Sequence, residues 1–391
     1  MMTRDEIREL AAFQADDKKG ECALSFYLQP DPPQDRSHRR EAIVAKDIVK
    51  QALKSAAAAG KNGSLHADLD RVLEFATNLR GNSRGKAVFA CSAQSFWKEY
   101  ELPPQLGSTH IYLQPRFQLK PLAALLGAQP ALCVAMVDRQ RARFFDLRLD
   151  DLRERGAIVH MLSRSGSNYG YNGYEAGHAE RRVAEEALQH FKSVAERLRT
   201  DLEKGAWERL IVGCHDSNWP ELEPQLHPYV KQRLIGRFSA DVASVSNEEI
   251  RDHAGELRNR WIKERAATKA SEAVDLAKGH GRGVTGLRRV LQALEAGEVQ
   301  SICLGENFSA KAVECPNCGH LDAHIVAKCV ACGHPTRELA DVCDAIIPIA
   351  IRRDIEMFYL KEHEDLDHAG NIAALLRFRS DQKTGQTALA S

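Results

Sequence analysis

The chain has 391 residues, with 54 Lys plus Arg against 54 Asp plus Glu and no formal net charge. That length exceeds one ordinary core and calls for two or three domains. The even balance removes any whole-chain argument for a polyanionic partner and leaves that question to local patches.

The opening "MMTRDEIREL" lacks a basic-then-apolar pattern, and the longest apolar stretch, Pro121 to Val137, is broken by Gly127, Gln129 and Pro130. A cytoplasmic protein without membrane association is therefore expected. The first segment reads as a helix, a strand at "CALSFYL" and a turn at "QPDPPQD". Helices follow from Arg40 to about Ala57 and from about Ala67 to Leu79, then strands at "GKAVFACS" and "SFWKEYEL". The second segment predicts a hairpin of "ALCVAMV" and "RARFFDLRL" turning at "DRQ". Next come a loop at 163–182, a helix from about Ala179 to Lys204 and a strand at "WERLIVGC". A helix at "PELEPQLHPYVKQRL" and a strand at "SADVASV" complete it. Ser246 followed by Glu249 is a capping box that starts a long charged helix from Asn247 to about Ala277. The third segment has a Gly-rich turn at "GHGRGVTG", a helix at "LRRVLQALEAG" and a strand at "VQSICLG". A cysteine-rich insert, a further helix and strands at "IEMFYL" and "AALLRF" follow. Alternating strands and helices imply an α/β fold class.

In the insert, Cys315, Cys318, Cys329 and Cys332 form two CxxC knuckles joined by ten residues, a spacing that places four thiolates tetrahedrally around Zn²⁺. Four cysteines leave no open position for water, so the zinc is expected to be structural and His320 and His334 to be spare. Cys22, Cys91, Cys133, Cys214, Cys303 and Cys343 lie mostly in apolar runs and read as core.

Cys214, His215 and Asp216 have the residue types of a catalytic triad. As neighbours at a strand end they point to opposite faces and cannot converge. The acidic "EHEDLDH" at 362–368 reads as a solvated loop, and no phosphate-binding P-loop is present. The loop at 163–182 is more informative. It holds Gly166, Gly170, Gly173 and Gly177 with Tyr169, Tyr171 and Tyr174, and the chain has only eight tyrosines. In the helix behind it, Ala184, Ala187, Leu188, Phe191, Val194, Ala195 and Leu198 form the expected buried stripe. Arg181, Arg182, His190, Lys192 and Arg199 are expected off it. Tyrosines stack on bases and arginines neutralise phosphates, so the loop suits a probe of RNA, with a plain surface loop as the alternative.

The order of parts, with "GVTGLRRVLQALEAGEVQSICLGE", the ribbon beginning "CPNCG" and the closing "GNIAALLRF", resembles the bacterial branch of the archaeal and eukaryotic class-1 release factor and Pelota superfamily. The resemblance implies three α/β domains. These are an N-terminal decoding-site-like domain at 1–120, a ribonuclease-H-like middle domain at 121–254, and a C-terminal domain similar to ribosomal proteins at 255–391 with its zinc ribbon at 313–336. Release factors carry Gly-Gly-Gln in the middle-domain loop. Here no two glycines are adjacent and no glutamine occurs from Arg164 to Leu188. Gly173, Tyr174 and Glu175 are the counterparts of the tip. The Asn-Ile-Lys-Ser codon-reading tip is likewise missing from "AAAAGKNGSLHA", where Lys61 and Asn62 remain as RNA contacts. The resemblance then extends to Balon-like hibernation factors. It implies a monomer in the ribosomal A site near the peptidyl-transferase centre, delivered by an elongation-factor-type GTPase, without stop-codon reading or peptide release. A peptidyl-tRNA hydrolase acting in ribosome rescue and a zinc-ribbon RNA-binding adaptor off the ribosome are the alternative readings.

Overall fold

The computed structural model describes residues 4–16, 19–29, 39–58, 63–78, 85–102, 109–126, 130–160 and 173–380. The chain divides into two compact units, Met1–Gly127 together with Ala266–Ser391, and Ala128–Arg265.

The first unit begins with α1 (Arg4–Ala12), β1 (Ala23–Leu28), α2 (Arg39–Ala58) and α3 (Gly63–Asn78). It continues through β2 (Gly85–Cys91), β3 (Phe96–Leu102), β4 (His110–Gln114) and α4 (Lys120–Leu126). The strands form an antiparallel sheet of order β3-β2-β1-β4. β4 and α4 are additions to the sequence reading. β4 is a half-buried edge strand without a clean alternation, so period-2 patterning does not reveal it.

The second unit contains β5 (Leu132–Val137), β6 (Arg141–Arg148), β7 (Asp151–Val159), α5 (Gly173–Glu203), β8 (Arg209–Gly213), α6 (Trp219–Leu222), α7 (Pro228–Lys231), β9 (Leu234–Phe238) and the start of α8 (Asn247–Lys278). Its sheet has the order β7-β6-β5-β8-β9. β5, β8 and β9 are parallel and the β5–β6–β7 meander is antiparallel. Every residue of β5 is buried. Cys133, Ala135 and Val137 face a core containing Phe191 and Leu198 of α5, and Leu132, Val134 and Met136 face one containing Ile250 and Ala254 of α8. A strand covered on both faces reads as a continuous apolar run, as "ALCVAMV" does.

Two expectations fail after β8. The stretch "PELEPQLHPYVKQRL" is α6, a 3₁₀ turn and α7 rather than one helix. Pro224 and Pro228 remove helical donors and clash with the preceding turn, which breaks the run. "SADVASV" is a turn and the strand lies earlier, at β9. The Asp241 carboxylate accepts the Ala243 N–H at 3.0 Å and the Ser244 hydroxyl at 2.9 Å, a local bonding scheme that competes with a ladder. The capping box forms as expected. The Ser246 N–H donates to Glu249 Oε2 at 2.9 Å, and the Glu249 N–H donates to Ser246 Oγ at 3.2 Å.

The remainder of α8 belongs to the first unit, followed by β10 (Gly283–Thr285), α9 (Leu287–Glu295), β11 (Val299–Gly305), β12 (Ala312–Glu314), β13 (Leu321–Asp322), β14 (Arg337–Leu339), α10 (Cys343–Arg352), β15 (Glu356–Leu360), α11 (Glu364–His368) and β16 (Ile372–Leu376). One sheet has the order β10-β16-β11-β15 and the ribbon has the order β13-β12-β14. Part of the expected Gly-rich turn is thus strand β10. Gly283 allows it, because a Cβ there would lie 2.3 Å from the Ala273 carbonyl of α8.

The N-terminal and C-terminal segments share one core. In β1, Leu24, Phe26 and Leu28 pack with Val49 of α2 and Leu69 of α3. On the other face Ala23 and Tyr27 join a cluster that runs through Phe89, Phe117 and Leu122 to Leu291, Ile302, Ile346 and Ile372. Polar links tie the same segments. Arg8 grips Asp354 through both carboxylate oxygens at 2.7 and 2.6 Å, Arg116 pairs with Glu314 at 2.7 Å, and Gln118 Nε2 donates to Asp344 at 2.7 Å. Gln114 Nε2 donates to the same carboxylate at 3.0 Å, and burial raises the Asp344 carboxyl above its ordinary range, which makes the two amide donors necessary partners. Among the described residues no helix is long and apolar enough to cross a membrane.

Candidate functional site

Two places concentrate chemistry, the root of the Gly/Tyr loop and the cysteine ribbon. At the first, β7 ends at Val159 and α5 begins at Gly173. Tyr169 and Tyr171 lie outside the described residues, as do Lys61 and Asn62 between α2 and α3. α5 starts six residues before the expected Ala179. Gly173, Tyr174 and Glu175 are therefore helical rather than loop residues, and Arg181 and Arg182 are helical as expected. Ala and Glu at 175, 176, 179 and 180 are strong helix formers and outweigh Gly177, while the packed half of α5 supplies the nucleus.

No side chain from Arg181 to Glu186 is buried, and Arg182 makes a long ion pair with Glu186 at 3.4 Å. Burial begins at Ala187 and continues with His190, Phe191, Val194, Ala195 and Leu198. Ala184 is exposed and Leu188 half-buried, so the stripe starts later than its periodicity suggests. His190, expected off the stripe, is fully buried within it. Its spacing of three from Ala187 was the available signal, masked by the habit of treating histidine as a surface residue.

The helix is held to β7 by Asp201, which is 8% exposed and accepts from Arg155 Nη2 at 2.8 Å and Arg197 Nε at 2.9 Å. At the loop's root His160, one residue past β7, places its Nδ1 2.8 Å from Nδ1 of His190. One nitrogen must donate and the other accept, so the contact requires a neutral ring on one side. Burial holds the His190 imidazole below its ordinary range, and repulsion from His160 adds to this. The folded chain consequently binds fewer protons at His190 than the unfolded chain. The stability this confers is present above about pH 6.5 and is lost as pH falls through that value towards the lowered folded one. Thermal unfolding followed from about pH 7.5 to 5.5 should show this decline. His190→Phe should flatten it, and an unchanged slope in the variant would remove His190 as its source.

At the ribbon, the four cysteine sulfurs lie within 4.8 Å of one another. Cys315 Sγ is 3.4 Å from Cys332 Sγ and Cys318 Sγ is 3.6 Å from Cys329 Sγ. Ligands about 2.3 Å from one tetrahedral ion sit ~3.8 Å apart, so the set is compatible with a bound metal. The two knuckles repeat one geometry. The Gly319 N–H donates to the Cys315 carbonyl at 2.8 Å and the Gly333 N–H to that of Cys329 at 2.9 Å, with φ of 75° and 72°. Only glycine takes that conformation without strain. The Cys332 thiol is pushed down to about 5, chiefly by the His334 backbone N–H. His320 pairs instead with Glu295 at 2.6 Å, outside the sulfur cluster.

The other sequence candidates are structural. Cys214 is buried, Asp216 pairs with Arg237 at 2.5 Å and His215 meets Ser217 at 2.8 Å, so no triad assembles. The six remaining cysteines are all buried, as expected. Among the described residues the four ribbon cysteines form the one group of metal-ligating side chains.

Residues 118–259 match the family described as bacterial archaeo-eukaryotic release factor family 10. No curated protein sequence matches the chain. Solved structures similar to it include the archaeal translation termination factor aRF1, at 18% identity over 96% of this chain and 99% of that one, with a TM-score of 0.25. The Archaeoglobus fulgidus Pelota is 14% identical over 77% and 81%, with a TM-score of 0.35. An archaeal Pelota described as ribosome-bound, with ABCE1, is 13% identical over 96% and 94%, with a TM-score of 0.41. The matched segment takes in most of the unit built around β5, β8 and α5, and over it the chain is similar to that family.

Proposed function

We propose that this protein is a ribosome-binding translation factor that occupies the A site of idle or stalled ribosomes, reading no stop codon and releasing no peptide. One observation carries the reading. A segment of release-factor type encloses a loop with no adjacent glycines and no glutamine from Arg164 to Leu188. Glu175 offers a carboxylate where the family places an amide, so it lacks the amide's donor and repels nearby phosphate. The binding role of the loop is kept. Tyr169, Tyr171 and Tyr174 stack on RNA bases, Arg181 and Arg182 hold phosphates, and Gly173 permits the backbone its approach. Lys61 and Asn62 touch RNA from the turn of the N-terminal domain.

Residues 1–120, 121–254 and 255–391 act as decoding-site, middle and C-terminal domains, and the last docks an elongation-factor-type GTPase. Cys315, Cys318, Cys329 and Cys332 hold a structural Zn²⁺ whose absence would cost the ribbon its shape. Co-sedimentation with bacterial ribosomes at low salt tests the reading. The protein is expected to pellet with them and to leave peptidyl-tRNA on stalled complexes intact. Failure to pellet, or release of peptide above background, would overturn it.

A further inference from the structure

Helix α2 carries a feature that the loop, the ribbon and the turn at Lys61 do not use. Ala45, Val49 and Ala52 are its buried face. Lys46, Lys50 and Lys54 are all exposed and recur at intervals of four. At 100° per residue the three lysines fall within a stripe about 80° wide, centred about 130° round the helix from the buried face. Like charges four apart on a helix repel by about 0.2–0.5 kcal/mol per pair, so the row works against the helix that bears it. One acidic side chain, Asp47, lies about 20° beyond the edge of the stripe. None of the three lysines takes part in the ion pairs found among the described residues. Next to them Ile43 is 57% exposed.

We propose that this face of α2 is a docking surface for a single-stranded RNA backbone. Successive ammonium groups rise about 6 Å apart, the scale of one nucleotide along an extended strand. Each lysine is a point charge suited to a phosphate, and three in a row follow a strand without reading its bases. A folded acidic protein surface offers no such regular series, whereas the RNA backbone repeats its charge at every nucleotide. The site deepens the ribosome-binding reading by naming the chemistry of a second contact on another element, and rests on that reading for its biological setting.

The test uses the full chain and a fluorescein-labelled single-stranded RNA of about 20 nucleotides and mixed sequence. Anisotropy titrations across a series of KCl concentrations give the slope of log affinity against log salt. Each phosphate neutralised on a single strand contributes about 0.7 to that slope, so Lys46→Ala/Lys50→Ala/Lys54→Ala should lower it by about two. The triple alanine variant should also bind about tenfold more weakly at the lowest salt. The triple arginine variant should keep both slope and affinity, since phosphate contact needs the charge and not the ammonium. Circular dichroism of both variants controls for folding, and alanine at these exposed helical positions favours the helix. An unchanged slope in a folded triple alanine variant, or no binding of the RNA by the wild type, overturns the site. Ribosome co-sedimentation separates the two readings. If the wild type pellets and the alanine variant pellets equally at every salt concentration, the lysine site falls and the ribosome reading stands. If neither pellets, the ribosome reading falls and the anisotropy result decides the lysine face by itself.

Discussion

Stripping the metal from the four-cysteine ribbon is expected to unfold residues 312–339 while the unit at 128–265 keeps its stability. The ribbon has almost no core of its own. Its strands are three, two and three residues long, and its buried apolar side chains are Ala312, Val313, Cys315, Leu321 and Cys329. Val330 and Ile325 point their apolar surface to solvent, at 69% and 57% exposure. Three such short strands fall well below what stands alone in water. Structural zinc contributes roughly 10–16 kcal/mol of apparent binding free energy in small zinc peptides, so even a fraction of it decides the state of this insert. Elemental analysis should find one zinc per chain. Chelation or Cys318→Ser should abolish amide protection across the ribbon in hydrogen-exchange mass spectrometry. Full protection in metal-free protein would show that the backbone holds itself together and that zinc is not its structural basis.

Residues 1–127 expressed alone are expected not to fold, whereas 128–265 should unfold cooperatively by itself. From the N-terminal segment, Leu10, Tyr27, Phe89, Tyr100, Leu102, Phe117, Leu119 and Leu122 all enter the core shared with the C-terminal segment. Burying one such side chain stabilises by about 1.5–3 kcal/mol, so eight of them represent at least about 12 kcal/mol. Several pack on one another, as the stacked Phe13 and Phe117 rings do at 4.4 Å, and keep part of that value after separation. Losing half of it, about 6 kcal/mol, still equals the whole stability of many domains. In the full chain Leu122→Ala should cost about 2–5 kcal/mol and lower hydrogen-exchange protection in α4 and α10 together. A cooperative thermal transition in isolated 1–127 would refute the shared-core account.

Local patterning located most of the elements. The apolar runs of β1, β5 and β11, the capping box at Ser246 and the CxxC spacing carry their own physical causes within a few residues of chain. Errors gathered where local signals compete. Prolines cut the expected helix at 220–234, Asp241 drew "SADVASV" into a turn, and a loop rich in glycine ran into helix from Gly173 because its last residues are helix formers. The missed strand β7 pairs only with β6 and has alternating charges rather than an apolar face, so its strand character comes from its partner.

The candidate site divides in the same way. The cluster of four cysteines was legible because two CxxC knuckles bring their sulfurs together through spacing and residue type alone. The Gly/Tyr loop was legible as a composition and as a place in the order of segments. Its root was not: His160 and His190 are thirty residues apart and meet only because β7 and α5 pack together, with Asp201 between two arginines fixing the register. By itself the sequence determined the α/β class, the clustering of the ribbon cysteines and the absence of Gly-Gly-Gln, because each is a property of neighbouring residues. Only the tertiary structure decided that the second face of β1 joins a core shared with the C-terminal segment, since a doubly buried strand reads the same whichever segments complete its core. It also decided that His190 is a buried partner rather than a surface charge, because burial depends on what a side chain meets across the fold.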